Sequence, residues 1–85
     1  MNKDFALYPG TFAPFTYGHR DILERALRLF SEVEVTVGVN AEKQTLFSTE
    51  ERVELVRQCT LDLDGVRVAS HEGLIVDRAT DTGAV

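Results

Sequence analysis

The segment from Tyr8 to His19 constrains this chain more than any other part of its sequence. It reads Tyr-Pro-Gly-Thr-Phe-Ala-Pro-Phe-Thr-Tyr-Gly-His, follows a short apolar run and precedes a helical pattern. Its prolines and glycines disfavour regular structure, so we predict a strand, a tight loop and a helix N-terminus. Glycine lets a ligand approach the backbone, and free N–H groups at a helix start attract phosphate. We therefore predict an anion site here, with Thr11 and His19 as side-chain donors.

Strand and helix patterns alternate in the first half of the chain. A strand is predicted at 4–8, followed by a helix at about 18–30 with Thr16 as its N-cap. Strict alternation of valines predicts a second strand at 32–39. Between these valines, Glu34 and Thr36 point to the opposite face, which we expect to be only partly covered.

The second half repeats the alternation. Ser48 and Glu51 predict a capping box for a helix that Asp64-Gly65 ends. The remaining patterns predict a third strand at 66–70, a turn at 71–73, a short helix at 74–80 and the start of a fourth strand at 82–85.

This order of elements predicts one α/β domain over residues 1–85, a Rossmann-like three-layer sandwich with a parallel sheet. Ligands of such sheets bind beyond the C-terminal ends of the strands. The loops 9–17, 40–47 and 71–74 should therefore share one rim.

Composition excludes several classes of function. No apolar run of about 18 residues or more is present, which argues against a membrane span. The polar N-terminus does not resemble a signal peptide, and the single cysteine, Cys59, fits a reducing cytoplasm. The net charge of −5 disfavours nucleic acid as a partner. No cluster of His, Cys and Asp has metal-ligand spacing, so we expect no metal held by side chains.

The motifs Tyr-Pro-Gly-Thr-Phe at 8–12 and Thr-x-Gly-His at 16–19 resemble the signature of the HxGH/TxGH nucleotidyltransferases. Within that superfamily they look most like the phosphopantetheine adenylyltransferases. The resemblance covers essentially the whole chain and continues through Asp21-Ile22, Arg25-Ala26, Lys43, 47–53 and 73–77.

The resemblance implies transfer of AMP from ATP to 4′-phosphopantetheine, which gives dephospho-coenzyme A and pyrophosphate. It assigns His19 to the charge that develops on the α-phosphate, Thr11 to orienting the acceptor phosphate and Lys43 to phosphate binding. The implied binding residues are Gly10, Thr11, Phe12, Gly18 and His19 for ATP, and Thr11, Lys43 and Ile75 for the second substrate. Mg²⁺ would arrive with ATP, and the family's enzymes are oligomers, so a homo-oligomer is expected.

The sequence departs from the family pattern at two sites. Ala13 stands where the family has Asp, which predicts a looser loop. Gln44-Thr45 follow the lysine where the family has Lys-Pro or Arg-Pro, which predicts weaker phosphate binding. The family's Arg-Gly and Ile-Ser-Ser-Thr segments are not found before Val85, so we expect an incomplete domain with little or no turnover alone.

Other interpretations remain open at this level. Ile75 is equally compatible with core packing, while Glu50, Glu51 and Arg52 look like a capping and surface set. His71 looks like a turn residue. The alternatives to the leading function are another cytidylyl- or adenylyltransferase of the superfamily, or a nucleotide- or phosphate-binding remnant or assembly module without turnover.

Overall fold

The computed structural model describes residues 4–12, 14–39, 48–73 and 75–83, with only the backbone described at 75, 76 and 81. The elements are β1 (Phe5–Gly10), α1 (Tyr17–Ala26), β2 (Glu32–Val39), α2 (Thr49–Cys59), β3 (Val66–Glu72) and α3 (Ile75–Thr82). The strands form one sheet in the order β1-β2-β3, and both pairings are parallel. The predicted parallel α/β architecture is therefore confirmed.

The valines of β2 form the centre of the core. Val33, Val35 and Val37 lie on one face of the strand because side chains alternate along it, and all three are fully buried. Leu23 of α1 and Val56 of α2 belong to the same buried cluster. Both helices therefore cover this face of the sheet, and the predicted strand at 32–39 is confirmed.

The opposite face of β2 is also covered, contrary to the sequence-based expectation. Glu34 and Thr36 are each only 1% exposed. Arg78 of α3 donates from Nε to Oε2 of Glu34 at 3.0 Å and from Nη2 to Oε1, and the Thr36 hydroxyl donates to Oε2 at 2.7 Å. Because α3 supplies a guanidinium partner, a carboxylate can lie inside the sandwich. This helix forms the third layer.

Two strands are longer than predicted. β1 continues through Pro9 and Gly10, which align with Thr36 and Val37 of β2, so the prediction of a loop from residue 9 was wrong. Proline is tolerated because β1 has a described neighbour on one side only, and an N–H on the outer side of an edge strand needs no partner. β3 likewise continues through 71–72, where a turn was predicted, because the C-terminal end of β2 provides backbone partners for it.

The first two helices end earlier than predicted. α1 ends at Ala26 instead of residue 30, because the N–H groups of Arg28 and Leu29 donate to carbonyls three residues back, at 3.2 and 2.9 Å, and tighten the chain into a turn. α2 ends at Cys59, where Thr60 leaves the helical region with φ −123. The Thr60 hydroxyl donates to the Val56 carbonyl at 2.8 Å.

Glycines follow the second and third helices in different roles. Gly65, with φ 84, lies in the turn before β3 rather than at the end of α2, and a Cβ there would lie 2.3 Å from the Ser31 carbonyl oxygen. Thr82 ends α3, and Gly83 follows with φ 72, so the predicted strand does not begin at Thr82. None of the described helices is long and apolar enough to cross a membrane.

Candidate functional site

The C-terminal ends of the three strands define one rim of the sheet. Gly10 of β1 aligns with Val37, and Glu72 of β3 aligns with Val39 at the end of β2. The segments that follow β1 and β3 therefore leave the same edge, as predicted. The loop 40–47, with Lys43 and the Gln44-Thr45 departure, lies outside the described residues, as does Ala13.

Thr16 and His19 form a reciprocal cap at the start of α1. The backbone N–H of Thr16 donates to Nδ1 of His19 at 2.9 Å, and the His19 N–H donates to the Thr16 hydroxyl at 3.4 Å. This is the geometry of a capping box with histidine in the place usually taken by Glu or Gln. The predicted N-cap is confirmed. Because Nδ1 accepts a hydrogen bond from the backbone, the neutral ring carries its proton on Nε2, which is then a donor.

Aromatic rings hold the His19 imidazole in place. The ring centroid of Phe12 lies 5.1 Å away, edge-on, and those of Phe15 and Tyr8 lie at 5.5 and 6.5 Å. Phe12 directly follows Thr11 in the chain, so the contact brings His19 beside the segment that carries Thr11. Burial raises the pKa of Tyr8, which keeps its phenol neutral.

Gly10 and Phe12 have a packing relation that sequence analysis missed. Phe12 has φ 50, in the left-handed region, and its ring is buried. A Cβ on Gly10 would lie 2.8 Å from Cζ of that ring. The absence of a side chain at Gly10 therefore makes room for Phe12. Binding of ATP by these two residues stays a prediction, as does binding by Gly18, which is exposed in the first turn of α1.

Arg52 is not a surface residue, contrary to the sequence-based interpretation. It is 5% exposed, and its Nη1 donates to the carbonyls of Thr11 at 2.8 Å and Gly38 at 3.2 Å. The interpretation was wrong because a motif that caps a helix says nothing about which of its other side chains turn inward. The sequence held one signal of this. A cation near the N-terminus of a helix is unfavourable because of the helix dipole, so an arginine there indicates a compensating contact.

The remaining predicted site residues are distributed as follows. Glu51 caps α2 by accepting from the Ser48 N–H, as predicted. His71 lies in β3 rather than in a turn, and Ile75 begins α3, its side chain being outside the described part. In the portion of the chain that the structure describes, no group of three or more His, Cys, Asp or Glu side chains could hold a metal ion.

The described part of the chain thus combines a parallel α/β sheet with a histidine-capped helix that follows its first strand. Residues 7–83 match the cytidylyltransferase-like family, and the chain belongs to it. The chain is 55% identical over 80 residues to a phosphopantetheine adenylyltransferase of Moorella thermoacetica, which covers 94% of this chain and 50% of the relative.

Two further relatives carry the same description. Identity is 54% over 72 residues with the Clostridium novyi protein, covering 85% of this chain and 45% of the relative. It is 47% over 84 residues with the Geotalea daltonii protein, covering 99% and 52%. The resemblance indicated by the motifs is confirmed. The chain spans about half the length of the curated relatives it matches.

Proposed function

We propose that the chain acts in adenylyl transfer from ATP to 4′-phosphopantetheine, giving dephospho-coenzyme A and pyrophosphate. The observation that carries this proposal is the orientation of His19, whose Nδ1 is engaged by the Thr16 backbone while its ring packs beside the Thr11 segment. The proposal is supported by the similarity to proteins described as phosphopantetheine adenylyltransferases.

In this reaction an ionised phosphate oxygen of phosphopantetheine attacks the α-phosphorus of ATP, and the bond to the pyrophosphate oxygen breaks. Negative charge builds on the α-phosphate oxygens as pyrophosphate leaves. The Nε2–H of His19 donates to that charge, and the Thr11 hydroxyl orients the acceptor phosphate. No general base is required, because the attacking oxygen is already ionised.

The start of α1 adds to the site. The N–H groups of Thr16 and His19 are used in the cap, which leaves the other N–H groups of the first turn, at 17 and 18, to attract an anion. Lys43 supplies a further positive charge to a phosphate, and Ile75 contributes to the pantetheine side of the site. Mg²⁺ enters as the ATP complex, with phosphate oxygens among its ligands. The reaction takes place in the cytoplasm, and the working form is a homo-oligomer.

The first test replaces His19 with Gln. Glutamine suits the third position of a capping box, so α1 keeps its cap while the imidazole donor is lost. With the part of a relative that this chain does not span added to the assay, we expect pyrophosphate release from ATP and phosphopantetheine to fall by about 10²–10³-fold, the usual loss for one oriented donor to a developing charge. Gln58→Ala, on the exposed side of α2, is the control.

Two results separate the alternatives. Unchanged pyrophosphate release in His19→Gln would contradict the assignment of His19. Tight ATP binding by calorimetry, without pyrophosphate release from the wild-type protein even when that part of a relative is added, would favour a nucleotide-binding role over a transferase.

A further inference from the structure

Arg52 connects two strand ends at the rim. It lies in the first turns of α2, and its Nη1 donates to the carbonyl of Thr11, just after β1, and to that of Gly38, within β2. Its Nη2 donates to the hydroxyl of Thr49 at 3.2 Å. One guanidinium therefore joins the N-terminus of a helix to the backbone of two neighbouring strands.

This guanidinium lies in an unusual electrostatic environment. Arg20 pairs with Asp62 and Arg78 pairs with Glu34, but no carboxylate of the described residues pairs with Arg52. Its Nε is buried, and no acceptor within the described ranges reaches it. Burial of an unpaired cation is costly. Arg52 has three neutral partners, the hydroxyl of Thr49 in its own helix and the backbone carbonyls of Thr11 and Gly38, so its contribution outside α2 is to fix those two peptides.

The backbone at Thr11 leads into a strained conformation. The next residue, Phe12, has φ 50, a conformation that bulky side chains rarely adopt. Thr11 itself is exposed, so its side chain is not held by packing. The hydrogen bond from Arg52 to the Thr11 carbonyl, at 2.8 Å, restrains this peptide from the interior side.

We propose that Arg52 is a positioning residue for the phosphate site: it holds the Thr11 peptide against the end of β2 and so sets the direction of the Thr11 hydroxyl. The link to phosphate rests on the proposed function, whereas the restraint on the peptide does not. Lysine keeps the charge but has one nitrogen, whereas Arg52 uses two: Nη2 is tied to Thr49 while Nη1 donates to both carbonyls, and the planar group fixes the direction of all three bonds.

The test compares Arg52→Lys and Arg52→Met with two controls on the same helix. Arg57→Lys makes the same change at an exposed arginine. Val56→Ala removes volume from the buried core and retains Arg52. The Thr11 carbonyl shares its peptide group with the Phe12 N–H, so amide resonances and hydrogen exchange of Thr11 and Phe12 are measured in the free protein, and the ATP dissociation constant is measured by calorimetry.

We expect both Arg52 variants to shift the Phe12 amide resonance, to speed its exchange and to raise the ATP dissociation constant about tenfold or more. Arg57→Lys should match the wild type. Val56→Ala should lower the melting temperature and leave the Phe12 resonance in place.

Wild-type resonances and affinity in Arg52→Lys would overturn the proposal. The same shifts and the same loss of affinity in Val56→Ala would also overturn it, because the effect would then follow stability alone. If the wild-type chain binds no ATP, the proposed function fails, and the Phe12 amide of the free protein still decides the role of Arg52.

Discussion

His19 uses its two ring nitrogens differently. Nδ1 accepts from the Thr16 N–H and satisfies one of the unpaired groups at the start of α1, so Nε2 carries the proton of the neutral ring. Ser48 and Glu51 make the equivalent cap on α2, where the Ser48 hydroxyl accepts from the Glu51 N–H at 3.1 Å. The histidine therefore caps α1 in the same way as a Glu caps α2, and the cap gives the ring a defined tautomer and direction.

Gly10 offers a test of how Phe12 packs beside His19. We expect Gly10→Ala to lower the free energy of unfolding by about 1–3 kcal/mol, because the new methyl group overlaps the buried Phe12 ring. Gly18→Ala is the control: its Cβ would meet the Thr16 hydroxyl at an ordinary 3.6 Å, and alanine suits a helix better than glycine. Urea unfolding measures both, and equal stability of the two variants would contradict the packing argument.

The pairing of β2 with α3 depends on one buried carboxylate. Burial alone raises the pKa of Glu34, but the hydrogen bonds from Arg78 and Thr36 outweigh it and hold the pKa below its ordinary value of 4.5. The ionised carboxylate thus favours the folded state whenever its partners are present. Arg78 is part of α3, so the pair connects the third layer to the central strand.

Removal of the Arg78 side chain should therefore strongly destabilise the fold. We expect Arg78→Met to lower the free energy of unfolding by about 3–5 kcal/mol at neutral pH, because it leaves the Glu34 carboxylate buried without its cation. Arg25→Met is a matched control, since Arg25 pairs with Asp21 at 3.2 Å and both side chains are exposed. Thermal or urea unfolding measures both, and similar losses in the two variants would show that burial of Glu34 does not matter.

The pH dependence of stability has a definite sign. Because the pKa of folded Glu34 is lowered, its contribution is fully present above the unfolded pKa and is lost as pH falls through the folded pKa. We expect the free energy of unfolding to fall more steeply below pH 4.5 in the wild type than in Glu34→Gln, which has no carboxylate to protonate. Parallel pH profiles would contradict this.

At the scale of the whole molecule, several large apolar side chains remain outside the core. Tyr17 is 92% exposed, Leu29 78%, Leu61 74% and Ile22 53%. Within the described sheet, β1 and β3 each have one strand neighbour, and an unpaired strand edge can pair with another chain. Both features favour association.

We expect the protein to associate with copies of itself at micromolar concentration, because a core this small gains stability by sharing apolar surface. Sedimentation velocity over a range of concentrations measures the assembly. Leu29→Lys should weaken it, whereas Ser31→Lys adds the same single charge at a nearby exposed polar residue and reports the effect of charge. A stable monomer throughout would contradict the expectation.

Sequence alone determined the order of the elements, the span of β2, both N-terminal caps and the family. These features depend on side-chain alternation and on caps between residues three apart, which are visible in a short window of sequence. The positions of Lys43 and of the Ile75 side chain remain predictions.

Tertiary structure decided the ends of β1 and β3, because strand pairing with β2 overrides local turn signals. It also decided that Glu34 is buried by an arginine 44 residues away and that Arg52 holds a carbonyl 41 residues away. A sequence pattern marks a polar side chain as facing away from the core, but only the packed layers decide whether it meets water or a distant partner.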